Sequence, residues 1–210
     1  MHTERDHILL KAKNSSNPIL AVISGPSGVG KDSVIQHLSK QALNYHLTIT
    51  VTTRDKRPNE IDGKDYIFTD RTSFKERVSQ GEFLEHAEVY GNLYGIPTKQ
   101  VADALKNSKD VIIKADVQGA STIKYKVEGS ILIFLKPPST KDLEKRLRRR
   151  HTENDKELQL RLNTAKNELS QISIFDYVVE NNNVEDASQQ IRCIIDAQKS
   201  NESRMQVKIL

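Results

Sequence analysis

The stretch ILAVISGPSGVGKDSVIQHL, residues 19–38, decides how the rest of this chain is read. It opens as an apolar run, tightens around Gly25, Gly28 and Gly30, and resumes with Val34, Ile35 and Leu38 at helical spacing. That order predicts a strand, a tight loop and an amphipathic helix. Glycines let the loop close with its backbone N–H groups turned inward, and the helix adds its positive N-terminal end. A polyphosphate fits such a cradle. Gly25, Pro26, Ser27, Gly28, Val29 and Gly30 would line it, and Lys31 would reach the outer phosphates and neutralise charge that moves during transfer. The next residue is Asp32, where this motif normally carries Ser or Thr to hold magnesium. Two readings stay open: a carboxylate replacing the hydroxyl as a hard magnesium ligand, or an acid complementing the helix dipole while Ser33 or water serves the metal.

Further short runs rich in Ile and Val recur at 111–117, 131–135 and 177–180, with helical patterns between them: Leu143 and Leu147, then Leu158, Leu162, Ala165 and Leu169. Strands alternating with helices predict an α/β fold with a parallel sheet covered on both faces. Residues 50–100 break the alternation with β-prone polar stretches and turn signals such as EIDGKD and GNLYGIP, which predicts an inserted subdomain. Pro137 and Pro138 end a strand, and Ser139 or Thr140 can cap the helix that carries the arginine cluster KRLRRR, residues 145–150.

With 210 residues the chain can bury a real core, and one cysteine, Cys193, excludes an internal disulfide and suits a reducing, cytoplasmic setting. Cys193 itself is expected inside a helix packed on the core. The first residues lack an apolar run long enough for a signal peptide, and no segment has the length of a membrane span. A net charge of +4 favours no partner by itself, but basic residues gather in RDKR, 54–57, and at 145–150, enough for two phosphate groups. Aromatics are only 5% of the chain and tryptophan is absent, so a nucleic-acid face of interleaved bases and rings is not expected. The histidines show no repeated ligand spacing, which argues against a structural metal site.

Five segments in order, SGPSGVGKDS (24–33), TVTTRDKRPNEIDGKDYIF (50–68), GEFLEHAEVYGNLYGIP (81–97), DVQGA (116–120) and DYVVENN (176–182), make the chain resemble the guanylate kinases. The resemblance implies a P-loop NTPase-type parallel sheet flanked by helices, transfer of the ATP γ-phosphate to GMP or dGMP, and magnesium as cofactor. It also implies a division: a single domain over 18–198, with core segments at 18–49, 101–136 and 163–198, a GMP-binding insertion at 50–100 and a lid at 137–162. Polar tails at 1–17 and 199–210 flank it.

By the same resemblance Arg54, Arg57, Tyr66 and Tyr94 grip the GMP phosphate. Arginine offers paired planar donors and a tyrosine hydroxyl one directed donor, so the residue types suit phosphate oxygens. Glu85 aligns with the acid that recognises guanine by accepting from its ring N–H and exocyclic amino group. Thr50 matches a hydroxyl near the base, and Asp116 an acid serving guanine or the metal's water shell. Catalysis would rest on Lys31, Arg57 and the lid arginines Arg146, Arg150 and Arg161, and Asn181 aligns on the adenine side. Two departures stand out. Ile96 replaces a usual Ser or Thr, and Lys114 replaces an acid two positions before Asp116, where a cation is an expected partner for Asp32 or for a phosphate. Two rivals remain: a phosphonate-metabolism kinase acting on a ribose bisphosphate precursor, which shares the GKDS loop, and a silent module binding phosphorylated peptides. Glu85 with the 50–97 region disfavours the first, and Gly30, Lys31 and the lid arginines disfavour the second.

Overall fold

The apolar run before the glycines forms a strand because it is short, rich in β-branched residues and closed abruptly at Gly25. In the computed structural model, which describes residues 17–41, 44–148, 155–201 and 205–209, that strand is β1 (Leu20–Ser24), buried along its whole length. It lies parallel between β7 (Asp110–Lys114) and β9 (Ile131–Lys136). Beyond β9 runs β10 (Tyr177–Glu180), and beyond β7 runs β2 (Tyr45–Leu47), giving a five-stranded parallel sheet in the order β10-β9-β1-β7-β2.

Alternate side chains of these strands feed two separate apolar layers. Leu20, Val22, Ile113 and Phe134 pack under α3 (Thr98–Lys106) and α4 (Val117–Lys126). Ala21, Ile23, Ile112 and Ile133 pack under α1 (Lys31–Gln41) and α7 (Val184–Ser200), met by Val34, Leu38, Ile191 and Ile195. Burial on both faces is why the runs show no polar alternation. This is the expected α/β architecture, and it leaves a crevice at the carboxyl ends of β1 and β7, where open parallel sheets bind ligands.

Within 50–100 the chain builds a second sheet of β3 (Val51–Thr52), β4 (Ile67–Phe68), β5 (Phe83–Val89) and β6 (Asn92–Pro97), ordered β4-β3-β6-β5. It has its own small core, Val51, Phe74 and Phe83, closed by α2 (Arg71–Ser79). Asp70 caps α2 by accepting the Ser73 N–H at 2.9 Å. Past β9, Ser139 caps α5 (Thr140–Arg148), accepting the Asp142 N–H at 3.0 Å. Its apolar face, Leu143 and Leu147, meets Leu158 and Ala165 of α6 (Asp155–Ser170). The lid boundary expected near 162 falls inside this unbroken helix.

Two expectations are corrected. Residues 199–210 are not simply a tail: α7 continues to Ser200, and β11 (Lys208–Ile209) returns to pair antiparallel with β8 (Val127–Glu128). Val207 and Ile209 pack against the core there, so the terminal segment gains burial by folding back. Cys193 is exposed on α7, because Ile191 and Ile195 take the core-facing positions on either side of it.

Candidate active site

The phosphate loop leaves β1 at Gly25, whose φ of +139° and closeness to the Leu135 carbonyl admit no side chain; an added Cβ would stand 2.1 Å from that oxygen. The Val29 N–H donates to the Pro26 carbonyl at 3.1 Å, and Val34 N–H to Gly30 at 3.1 Å starts α1. Val29 itself is fully buried, so it lends backbone rather than side chain. Lys31 curls back to donate to the carbonyls of Gly25 and Pro26. Burial lowers its pKa, against the opposing pull of Glu168 and Asp32. A phosphate oxygen is a stronger acceptor than either carbonyl.

Arg146 and Asn181, expected at the transferring phosphoryl and the adenine side, make their contacts here with the backbone beside the phosphate loop. Both reach the underside of the loop: Arg146 donates to the carbonyls of Val29 and Asn181 at 2.9 Å each, and Asn181 Nδ2 donates to Val29 at 2.7 Å. Asn181 is 2% exposed. A carbonyl turned inward by the tight loop needs donors, and these two side chains supply them. Arg150 lies outside the described residues. Arg161, on α6, does reach the cleft, with its guanidinium 5.1 Å from the ring centre of Tyr90 at the β5–β6 turn.

Across from the loop stands the inserted sheet. Arg54 is held by Glu60 at 2.7 Å and by the Asp55 carbonyl, and lies over the rings of Tyr66 and Phe68. Tyr94 meets Tyr66 edge to face, 6.4 Å between ring centres. Arg57 is exposed at the rim, its backbone N–H tied to Glu60. These residues form one cationic and hydroxylic wall, the pattern that suits a phosphate monoester.

Deeper in, Glu85 on β5 is 5% exposed and pairs in register with Ile96 of β6. Burial pushes its carboxyl up to about 8, the Asp116 charge adds to the rise, and Lys126 pulls the other way. Thr50 is equally buried, and its hydroxyl has no hydrogen-bond partner among the described residues. Asp116 caps α4, accepting the Gly119 N–H at 2.7 Å. Buried groups with unspent capacity mark a surface built for a polar ligand.

Three contributors escaped the sequence reading. Gly119 makes room for Glu85: a Cβ there would lie 2.8 Å from the carboxyl carbon. Lys126 donates to the Leu84 carbonyl at 2.8 Å and so sits beside the same acid. Glu168 of α6 brings a second acid to the phosphate loop, where the Ser27 N–H and Lys31 oppose the upward push of burial on its pKa; its Oε2 is buried without a hydrogen-bond partner among the described residues. A signal existed for this one, since Arg161 and Glu168 are seven apart and share a helix face. The pairing of Lys114 with Asp32, one of the two partners expected for that cation, is present at 2.5 Å and commits the acid to an ammonium.

Loop, inserted sheet and α6 enclose one cleft of about 920 Å³, lined by Gly30, Lys31, Thr50, Arg54, Tyr66 and Glu85 among others. Comparison with known proteins agrees with this layout. The family model described as Guanylate kinase matches residues 17–198. A guanylate kinase of Thermotoga maritima is 43% identical over 190 residues, covering 90% of this chain and 92% of its own. One from Clostridium perfringens (strain SM101 / Type A) is 38% identical over 200 residues, covering 95% and 93%. The crystal structure of guanylate kinase from Anaplasma phagocytophilum superposes with a TM-score of 0.76 at 32% identity, covering 89% of each chain. With a phosphate loop facing an arginine–tyrosine wall over a buried glutamate, and with these relatives spanning nearly its whole length, the chain belongs to the guanylate kinase family.

Proposed function

We propose that the protein transfers the γ-phosphoryl group of ATP to GMP, and less readily to dGMP, yielding the nucleoside diphosphates. One observation carries this reading: a single cleft presents a polyphosphate loop on one wall and Arg54, Tyr66 and Tyr94 on the other, with Glu85 at its base. ATP phosphates on the loop and the GMP phosphate on the opposite wall would face each other for in-line transfer. Such transfer asks little covalent chemistry of the protein, so rate comes from alignment and from cations spread over the moving charge. Lys31 serves the donor side. Arg54, Arg57 and Tyr66 hold the acceptor, and Arg161, already over Tyr90, brings charge from the lid helices to the junction.

Ionised Glu85 accepts from the ring N–H and amino group of guanine, a donor pair that adenine does not offer on that edge, and the Thr50 hydroxyl lies nearby to add a bond. Ile96 supplies only apolar contact. Magnesium would enter on the ATP phosphates and neutralise part of their charge. Magnesium is commonly held by one or two protein groups together with nucleotide oxygens, and among the described residues no group of three or more acidic, histidine or cysteine side chains could hold a metal. Asp32 does not fit as its ligand in this arrangement, because its carboxylate is engaged by an ammonium that repels a dication. The exposed hydroxyl of Ser33, next in the chain, is the alternative. Among the described residues no helix is long and apolar enough to cross a membrane, and we place the activity in the cytoplasm.

A coupled assay tests the reading: ATP with GMP, dGMP, AMP, UMP and ribose phosphates, with and without magnesium. Turnover confined to GMP and dGMP is expected. Preference for a sugar phosphate would transfer the protein to the phosphonate-type kinases, and binding without turnover would make it a silent module.

A further inference from the structure

Lys114 ends β7 beside Ile23 of β1, so it rises at the carboxyl edge of the sheet, between the phosphate loop and the inserted lobe. Its Nζ lies 2.5 Å from Asp32 Oδ1 on one wall and 2.7 Å from Tyr66 Oη on the other, 4.4 Å from the centre of the Tyr66 ring. An ammonium carries three donors. Asp32 and Tyr66 take two, and the third has no partner among the described residues. The lysine side chain is 22% exposed and the aspartate 66%, so the cation is the sequestered member of the pair. Burial works against the Lys114 charge, yet Asp32 and Tyr66 outweigh it and raise the pKa. The Lys31 ammonium is near enough for the two cations to repel. An anion between them removes that repulsion.

We propose that Lys114 is a phosphate-binding residue for the acceptor nucleotide, and that Asp32 is the counter-ion that positions it rather than a metal ligand. The proposal rests on the reading of the Tyr66 wall as the GMP phosphate site. Asp32 and Lys114 then form one exchanged pair: the loop gains an acid where a hydroxyl is usual, and the strand end gains a cation where the family carries an acid. Their charges cancel in the free protein. When the acceptor phosphate arrives beside Tyr66, its oxygens take the third donor, and Asp32 holds the ammonium fixed between the two walls.

Calorimetry on the full chain tests this, titrating GMP and guanosine into wild type, Lys114→Met, Lys114→Arg, Asp32→Asn and the Asp32→Asn/Lys114→Met double variant. Lys114→Met is expected to weaken GMP about 10- to 100-fold, the span for one charge-assisted hydrogen bond, while leaving guanosine affinity unchanged. Lys114→Arg should recover most of the loss. Asp32→Asn should weaken GMP in the same direction, and the double variant should be no weaker than Lys114→Met alone. The magnesium concentration at half-maximal ATP binding should not move in Asp32→Asn. Unchanged GMP affinity in Lys114→Met overturns the proposal. So does an Asp32→Asn variant that shifts the magnesium midpoint and leaves GMP untouched; Asp32 is exposed, so this variant keeps the question open to decision if Lys114→Met folds poorly. Wild-type protein that binds no GMP overturns the acceptor reading itself, a result distinct from wild type that binds and a Lys114 variant that binds equally well.

Discussion

Raising the pH from 6 toward 8 is expected to tighten GMP binding, because the proposed contact with guanine uses ionised Glu85, whose carboxyl burial pushes up in the free protein. With its carboxyl at about 8, only about a tenth of molecules carry the charge at pH 7, and affinity gains close to tenfold, about 1.4 kcal/mol, per pH unit below that point. Binding at pH 7 should therefore release about 0.9 proton. The cause lies in burial, with Gly119 of α4 packed against the carboxyl, and in the Asp116 charge at that helix's cap, which together outweigh the opposing pull of Lys126. Calorimetry in two buffers of different ionisation heat measures the release. The second ionisation of the GMP phosphate, near 6, also contributes, so Glu85→Gln serves as the reference, retaining the phosphate's proton and losing the carboxyl's. A wild-type affinity as flat with pH as the variant's, or equal proton release in both, would refute the burial argument. The same group has a stability signature of opposite use. The folded state keeps the Glu85 proton between the ordinary 4.5 and about 8, so its contribution to stability falls as pH rises through that window, and Glu85→Gln removes the slope.

Gly119→Ala puts a methyl 2.8 Å from the Glu85 carboxyl carbon on an ordinary helical backbone, so equilibrium binding should show GMP weakened about tenfold or more, for a melting change of about 1 kcal/mol or less; unchanged binding would contradict the packing. Ile96→Thr returns a hydroxyl beside Glu85 and should lower KM for GMP by about 0.5–1.5 kcal/mol, read from initial rates. Arg146→Met leaves the inward Val29 and Asn181 carbonyls with fewer donors, raising KM for ATP, leaving that for GMP alone, and costing about 1–3 kcal/mol in thermal unfolding. Phe74→Ala empties the small core of the inserted sheet and should cost about 3–5 kcal/mol, with faster hydrogen exchange in β3 to β6 than in β1 or β9.

Which parts could be read from the chain follows from how locally each is encoded. The phosphate loop, β1, β9 and β10 were legible because glycines, β-branched runs and turns act within a few residues, and Ser139 as a cap is a local rule too. Short β2 carries no comparable signal; it is a strand because β7 offers it an edge. The fold-back of β11 depends on a core built earlier in the chain. At the site, the residue types of the loop and of the arginine–tyrosine wall were legible, while the bonds of Arg146 and Asn181 to the Val29 carbonyl were not, since the need for donors there arises only once the loop has closed.

Sequence alone indicated the kind of chemistry: local motif spacing read a cradle of backbone N–H groups with one lysine, and the resemblance of five segments to the guanylate kinases implied a facing set of arginine and tyrosine and an acid for guanine. Tertiary structure alone decided the state of those groups. Asp32 pairs with Lys114 across 82 positions of chain, and burial together with the Asp116 charge pushes the Glu85 carboxyl up against the pull of Lys126. Charge and protonation depend on distance and burial in space, and neither quantity exists until the sheet and the inserted lobe have come together.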